Sequence, residues 1–368
     1  LEQEQKYWIA LNFILSESLK SARIITHHFS SVEEVFRSSK RDLQLLGLDE
    51  EIAEALSSQD LLDQAGREMD QLERAGFSVL TFQDECYPQC LREIFDPPLV
   101  MYCAGKMDTL NKPAVSVIGA RKPTPYGRAV AERLAHDLSA RGLVIVSGMA
   151  RGIDSIAHWG ALKEGETIAV LGSGLRWIYP KENKSLFQKI VENGLALSEY
   201  PLKSPPLKYH FPKRNRIIGG LSLGVVVVEG TKKSGSLITA RLALEVGREV
   251  MAIPGNITSE LSGGTNRWIK DGAKLVEDWN DVVEELPLTV REKIFSKEKK
   301  KPRELPSLSE EEKGIYELLS SDTLVSVDEL VEKSNLSVSE VLSILLSLEI
   351  KDLVDQRPGK FYQRKLGW

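Results

Sequence analysis

Three short turns in this sequence combine small residues with cations. Gly119-Ala120-Arg121-Lys122 follows the apolar run AVSVI, and Ser147-Gly148-Met149-Ala150-Arg151-Gly152 closes the run LVIV. Ser234-Gly235-Ser236 stands behind Lys232 and Lys233 at the start of a helical pattern, LITARLALEVG. Glycine and serine let backbone N–H groups approach an anion closely, and a helix start adds free donors and a favourable dipole. A fourth stretch is richer in charge. Between Lys203 and Arg216 lie Lys203, Lys208, Tyr209, His210, Phe211, Lys213, Arg214, Asn215 and Arg216, with no acid among them. Lys181, with Asn183 and Lys184, opens a further helix. Cations interleaved with aromatics suit a single-stranded nucleic acid: the cations take phosphates, and Tyr209 and Phe211 are candidates for base stacking, worth about 1–3 kcal/mol per base. The bland alternative is a set of ordinary β–α turns and a solvated charged loop.

Two nucleotide fingerprints are missing. A dinucleotide site asks for GxGxxG and an acid at the end of the second strand. Here the first turn reads Gly119-Ala120-Arg121-Lys122-Pro123-Thr124, and LVIVSG ends without a carboxylate. A P-loop needs lysine after its second glycine, whereas Gly230 to Ser236 reads Gly-Thr-Lys-Lys-Ser-Gly-Ser. An enzyme in this crevice would need a general base or nucleophile. Glu229, Asp154 and His158 are the candidates, and they form no recognised constellation, so no catalytic residue is assigned and no cofactor is expected. Cys86, Cys90 and Cys103 form neither a disulfide framework nor a zinc pattern, so no metal site is expected and a reduced compartment is.

The turns need elements to hold them. From about Val115 to Val276, short β-branched runs alternate with helical patterns, which predicts a mostly parallel sheet with loops at its carboxyl ends. The four valines of GVVVVEG mark a strand buried on both faces. Two further strand-like segments, 77–82 and 99–105, are expected on one edge of that sheet. Residues 1–75 read as helices near 18–29, 31–37, 40–46, 49–56 and 60–75, behind an apolar face at Tyr7 to Leu15. The turn Leu46-Gly47-Leu48 is of the helix–hairpin–helix or SAM-like kind, but Asp49, Glu50 and Glu51 beside it repel phosphate. Residues 287–306 read as a basic linker holding Lys299-Lys300-Lys301-Pro302-Arg303. Residues 307–368 contain three capped helices, announced by Ser309/Glu312, Ser326/Glu329 and Ser337/Glu340, and then a β-wing. That order is a winged helix. Its third helix carries no cation between Val338 and Leu345, so it is not expected to read a major groove; the wing holds Arg357, Lys360, Arg364 and Lys365.

The whole chain has 368 residues and a formal net charge of -5, so any anionic ligand must be held by a local patch. No apolar run approaches the ~20 residues of a membrane span, and the start, LEQEQKYWIALNF, does not read as a leader. A cytoplasmic protein without membrane insertion is expected.

Several of these motifs together resemble the bacterial DNA-processing protein A family, also called Smf. They are Ser147 to Asp154, Lys213-Arg214-Asn215-Arg216-Ile217-Ile218, Ser234 to Ala240, and Pro254-Gly255-Asn256. The resemblance covers the core in order. It implies an α/β fold: an extended Rossmann-like, mostly parallel sheet domain over 76–286, with a SAM-like helical domain before it and a winged-helix domain after it. It implies a homodimeric, non-enzymatic protein of natural transformation that binds incoming single-stranded DNA, protects it, and helps load RecA past single-strand binding protein. Carried over by position, the strand pocket uses Gly119, Arg121, Ser147, Gly148, Arg151, Gly152, Lys213, Arg214, Asn215, Arg216, Ser234, Gly235 and Ser236; the charge pattern adds Lys122, Lys181 and Lys208. Two other readings compete: a nucleotide- or phosphate-handling enzyme, and a winged-helix regulator of double-stranded DNA.

Overall fold

Nine strands form one sheet in the order β1-β2-β6-β5-β4-β3-β7-β8-β9. They are β1 (Ser78–Thr81), β2 (Val100–Gly105), β3 (Ala114–Ile118), β4 (Val144–Ser147), β5 (Thr167–Val170), β6 (Leu195–Ser198), β7 (Gly224–Val227), β8 (Glu249–Ala252) and β9 (Lys274–Leu275). This computed structural model describes residues 2–16, 18–300, 308–320, 324–334, 336–351, 353–357 and 359–364. Strands β3 to β9 pair in parallel, and β1 and β2 add an antiparallel edge. The chain builds outward from β3 through β4 and β5 to β6. It then returns to the other side of β3 and builds outward again through β7, β8 and β9. The connections diverge between β3 and β7, which opens a crevice at the carboxyl ends of those two strands.

Helices cover both faces. They are α1 (Glu2–Leu15), α2 (Leu19–His28), α3 (Val32–Arg37), α4 (Lys40–Leu45), α5 (Glu50–Leu56), α6 (Gln59–Ala75), α7 (Gln89–Arg92), α8 (Pro125–Ala140), α9 (Ile153–Ala161), α10 (Lys184–Asn193), α11 (His210–Leu221), α12 (Ser236–Glu245), α13 (Gly263–Lys270) and α14 (Trp279–Glu284). Strand residues are divided between faces by the two-residue repeat. On β2, Val100, Tyr102 and Ala104 enter one apolar cluster, and Met101 and Cys103 the other. Burial on both sides is why these strands read as unbroken apolar runs.

The amino-terminal helices are not a separate body. Trp8, Leu11, Leu15, Ala65 and Leu72 share a core with Val100, Tyr102, Met149 and Ala169 of the sheet region, within one compact unit, Leu1–Ile294. Polar contacts sew the same seam. Asn12 Nδ2 donates to Glu199 O at 2.9 Å, and the Glu68 carboxylate accepts from Leu202 N at 2.6 Å.

The second unit comprises Phe295–Trp368. Where the sequence suggests a linker, α15 (Leu288–Lys300) is helical. Of the basic run, Lys301, Pro302 and Arg303 lie outside the described residues, as does Lys365 of the wing. Then come α16 (Glu310–Leu318), β10 (Val325–Ser326), α17 (Val327–Ser334), α18 (Val338–Ile350), β11 (Val354–Arg357) and β12 (Phe361–Arg364), with the small sheet ordered β10-β12-β11. This is the winged-helix arrangement. The wing cation Arg364 is tied inward, its Nε donating to Tyr316 O at 2.7 Å and its Nη2 to Glu317 O at 2.9 Å.

Glu312 holds this unit together. Its carboxylate accepts from Lys351 Nζ at 2.7 Å, Ser347 Oγ at 2.6 Å and Ser309 N at 2.8 Å. The Lys351 ammonium, then the Ser347 hydroxyl, hold its carboxyl at about 2. A depressed folded value means that this stabilisation is complete above the ordinary glutamate range and is lost as pH falls from about 4.5 through about 2. Glu312→Gln is therefore expected to cost about 1–2 kcal/mol at neutral pH and to flatten that acid dependence. Hydrogen exchange of the α16 and α18 amides, corrected for intrinsic rates, measures both.

Candidate functional site

The crevice at the β3/β7 divide has a volume of about 750 Å³. Each wall comes from a strand end or the helix after it. The β3–α8 turn contributes Gly119, Arg121 and Lys122, and the β7–α12 turn contributes Thr231, Ser234, Gly235 and Ser236. Helix α11 presents Phe211, Arg214, Asn215 and Ile218, which fall on one face because they recur at three- and four-residue spacing. Lys208 lies just before it, and Tyr179 reaches in from the β5–α10 connection.

Charge in the crevice is layered. Arg121, Lys122 and Lys208 at the mouth are exposed and make no ion pair with any described residue. The Arg121 guanidinium lies 6.0 Å from the centre of the Phe211 ring, whose own centre is 5.6 Å from that of Tyr179. Ser234 and Ser236 hydroxyls bond each other at 2.8 Å where α12 begins. The floor is Arg214, only 3% exposed. Its Nη1 donates to Gly148 O at 2.9 Å and to Val170 O, joining the ends of β4 and β5. Burial pushes Arg214 down to about 10, so it remains charged at neutral pH. Asp154 opposes it, accepting from Gly148 N at 3.2 Å and Ala150 N at 3.4 Å; burial pushes its carboxyl up. The result is a cavity lined by exposed cations that make no ion pair among the described residues, by two aromatic rings and by a helix start. Such an arrangement can hold a phosphate and a stacked ring together.

The sequence-derived residues separate into two sets. Gly119, Arg121, Lys122, Lys208, Phe211, Arg214, Asn215, Ser234, Gly235 and Ser236 line the crevice. Ser147 does not: it is fully buried, its Oγ donating to Val117 O at 2.7 Å. Gly148 lies beneath the floor, where an added Cβ would come within 2.5 Å of Arg214 Nη2. Gly152 supports the Arg121 loop from behind. Its φ is +80°, and a Cβ there would fall 2.3 Å from Ala120 O. Arg151 pairs with Glu182. Lys181 and Lys213 lie outside the lining, and Tyr209 lines a different cavity.

Arg216 departs furthest from the sequence reading. Its guanidinium meets Glu199 at 2.6 and 3.0 Å and Asp96 Oδ2 at 3.0 Å. The basic stretch is helical from His210 onward, so Lys213 and Arg216 share the face opposite Phe211 and Arg214. Tyr179 was missed as a site residue, although its place between Trp177 and Lys181 is another aromatic–cation pattern. Ile238 and Leu261, which also line the crevice, carry no signal that separates them from core residues.

The groups named for catalysis are held in hydrogen bonds of the fold: Asp154 lines the crevice near Arg214, and Glu229 and His158 lie outside its lining. Both Glu229 oxygens accept from Thr124, at 2.9 Å from its N and 2.5 Å from its Oγ1. His158 is fully buried, its Nδ1 2.6 Å from Thr167 Oγ1, and burial pushes the ring down to about 3. Among the described residues no group of His, Cys, Asp and Glu could hold a metal, and no helix is long and apolar enough to cross a membrane.

Fold and crevice define an α/β protein with a cation-rimmed crevice at the switch point of an open sheet, and a winged-helix unit after it. The family model for DNA recombination-mediator protein A matches residues 78–287, and that for the DprA winged helix domain matches 299–360. The chain belongs to this DprA/Smf family of DNA-processing recombination mediators. It is 44% identical over 214 residues to DNA processing protein DprA of Bacillus subtilis, covering 58% of this chain and 72% of that one. Protein Smf of Synechocystis is 32% identical across 98% of this chain and 99% of its own. Among solved structures, DprA from Streptococcus pneumoniae superposes with a TM-score of 0.60 at 36% identity, over 78% of this chain and 99% of that one. The Helicobacter pylori protein, whose structure is described as giving insight into its single-stranded DNA binding mode, superposes at 0.53 with 34% identity, over 57% and 97%.

Proposed function

We propose that the crevice binds single-stranded DNA and that the protein is a non-enzymatic, cytoplasmic recombination mediator. The observation that carries this is the set of exposed cations, Arg121, Lys122 and Lys208, which make no ion pair among the described residues, around a cavity that also holds Phe211 and Tyr179. Phosphates take the cations and the α12 start, and a base stacks on the rings. The strand-binding mode described for the Helicobacter pylori relative supports the same assignment. Backbone contacts of this kind carry little sequence information, so binding is nearly sequence-independent and weakens with salt. The family resemblance extends the reading: a homodimer that protects incoming strands during natural transformation and loads RecA onto them in the presence of single-strand binding protein. A catalytic reading gains nothing from Glu229, Asp154 and His158, all of which are held in structural hydrogen bonds. A double-strand regulator gains nothing from α18, whose residues 338–345 include no cation.

Fluorescence anisotropy on labelled oligothymidylate, with a matched duplex as control, tests the assignment. Arg121→Ala is expected to lower affinity about tenfold and to reduce the salt slope by about 0.7. Lys213→Ala, on the far face of α11, is expected to change affinity much less. Equal affinity for duplex, or an Arg121→Ala variant that binds like wild type, overturns it. Displacement of single-strand binding protein by RecA, followed with and without the protein, tests the loading step.

A further inference from the structure

A second cavity, of about 600 Å³, lies where the amino-terminal helices meet the sheet region. Its lining includes Gln64, Arg67 and Gln71 of α6, Lys203 of the β6–α11 connection, and Tyr209. Tyr209 is 55% exposed, and Arg67, Gln64 and Lys203 are exposed as well. These residue types match the parts of a nucleotide. An aromatic face takes a base, side-chain amides meet base edges, and two cations take a phosphate. The cavity contains one acid, Glu68, and its carboxylate already accepts from Leu202 N at 2.6 Å. Burial also pushes that carboxyl up, which lessens its repulsion of a phosphate.

The two cavities share a wall. Lys208 and Phe211 line the crevice, while Leu207, Tyr209 and His210 line the second cavity. A strand leaving the crevice over Lys208 therefore meets Tyr209 next. Backbone bonds fix this ridge: Gly174 N donates to Ser204 O at 2.9 Å and Arg176 N to Leu202 O at 3.1 Å, which ties the Tyr179 loop to the segment carrying Lys203.

We propose that the cavity between α6 and the 200–210 segment is a second nucleotide-binding subsite for the same single strand. It rests on the crevice reading above and extends it. In this arrangement the amino-terminal layer touches DNA through α6, not through the acidic turn at Gly47. The strand runs from Phe211 and Tyr179 across Lys208 to a base stacked on Tyr209, with the following phosphate between Arg67 and Lys203.

Oligothymidylate length separates the two subsites. Affinity is measured on the full chain with oligomers of about 6 and about 20 nucleotides, the short one reaching one subsite and the long one both. Wild type should bind the long oligomer more tightly than a per-site statistical factor explains. Tyr209→Ala and Arg67→Gln should each lose about 5- to 50-fold on the long oligomer and less than about twofold on the short one. Arg121→Ala should weaken both lengths. Because Tyr209 and Arg67 are exposed, unchanged short-oligomer affinity also reports that the variants are folded. If both variants keep the full length-dependent gain, the second subsite is overturned while the crevice stands. If the short oligomer fails to bind, or binds independently of Arg121, the crevice reading itself falls.

Discussion

Arg216→Leu is expected to destabilise the Leu1–Ile294 unit by about 3–5 kcal/mol, while the folded variant binds single strands within about twofold of wild type. The side chain is 11% exposed and meets Glu199, whose own is 3% exposed. Two guanidinium nitrogens grip the two Glu199 oxygens, and Nε reaches Asp96 O at 2.8 Å as well as its carboxylate. Burial alone would lower Arg216 and raise Glu199. Each partner's charge reverses the other's shift, so Arg216 ends raised and Glu199 lowered. Removing the guanidinium leaves a buried carboxylate without its counter-charge, which is the costly way to break such a pair. Arg216→Leu with Glu199→Leu should recover much of the loss, because the pair then disappears as a unit. Urea unfolding at neutral pH and anisotropy on the same samples decide the matter. An Arg216→Leu protein of wild-type stability that has lost strand affinity would mean that Arg216 faces the DNA. The depressed Glu199 value adds a pH signature: this stabilisation is present above the ordinary glutamate range and fades as pH drops below it.

Gly152→Ala should be nearly as damaging, for a backbone reason. At φ +80° and ψ −128° the residue occupies a region that side chains avoid at a cost of about 1–3 kcal/mol. The added Cβ would also lie 2.3 Å from Ala120 O and 2.7 Å from Arg121 C, and relieving an overlap of that kind costs about 1–3 kcal/mol more. A total of about 2–6 kcal/mol corresponds to a melting temperature lower by roughly 10 °C. The atoms that must move carry Arg121, so the folded fraction should also bind strands about tenfold more weakly, as expected for a lost phosphate contact. A variant melting within about 2 °C of wild type would show that the loop yields without strain.

Much of the frame was legible. LVIVSG and GVVVVEG contain β4 and β7, and the expected edge segments 77–82 and 99–105 contain β1 and β2. Helix starts carried their own signals, with Ser309/Glu312 and Ser337/Glu340 forming complete capping boxes. These features are local: a β-branched run, a cap or a turn glycine acts within a few residues of itself. The merging of the amino-terminal helices with the sheet region was not legible, although Trp8 and Leu11 share one apolar cluster with Tyr102 and Met149. Helical periodicity shows that a face is apolar, not which surface covers it.

The amino-acid sequence by itself determined the strand runs, the small-residue turns at their ends, the winged-helix order and the family to which they belong. The tertiary structure decided which cations are free. Arg121, Lys122, Lys213, Arg214 and Arg216 look alike in one dimension. Folding places Arg216 against Asp96, 120 residues earlier, and Arg214 against the ends of β4 and β5, but leaves Arg121 and Lys122 without an ion pair among the described residues, Asp154 acting on Arg121 only from a distance. A charge is available to a ligand only where no nearer opposite charge or carbonyl already holds it, and that proximity is a property of the fold.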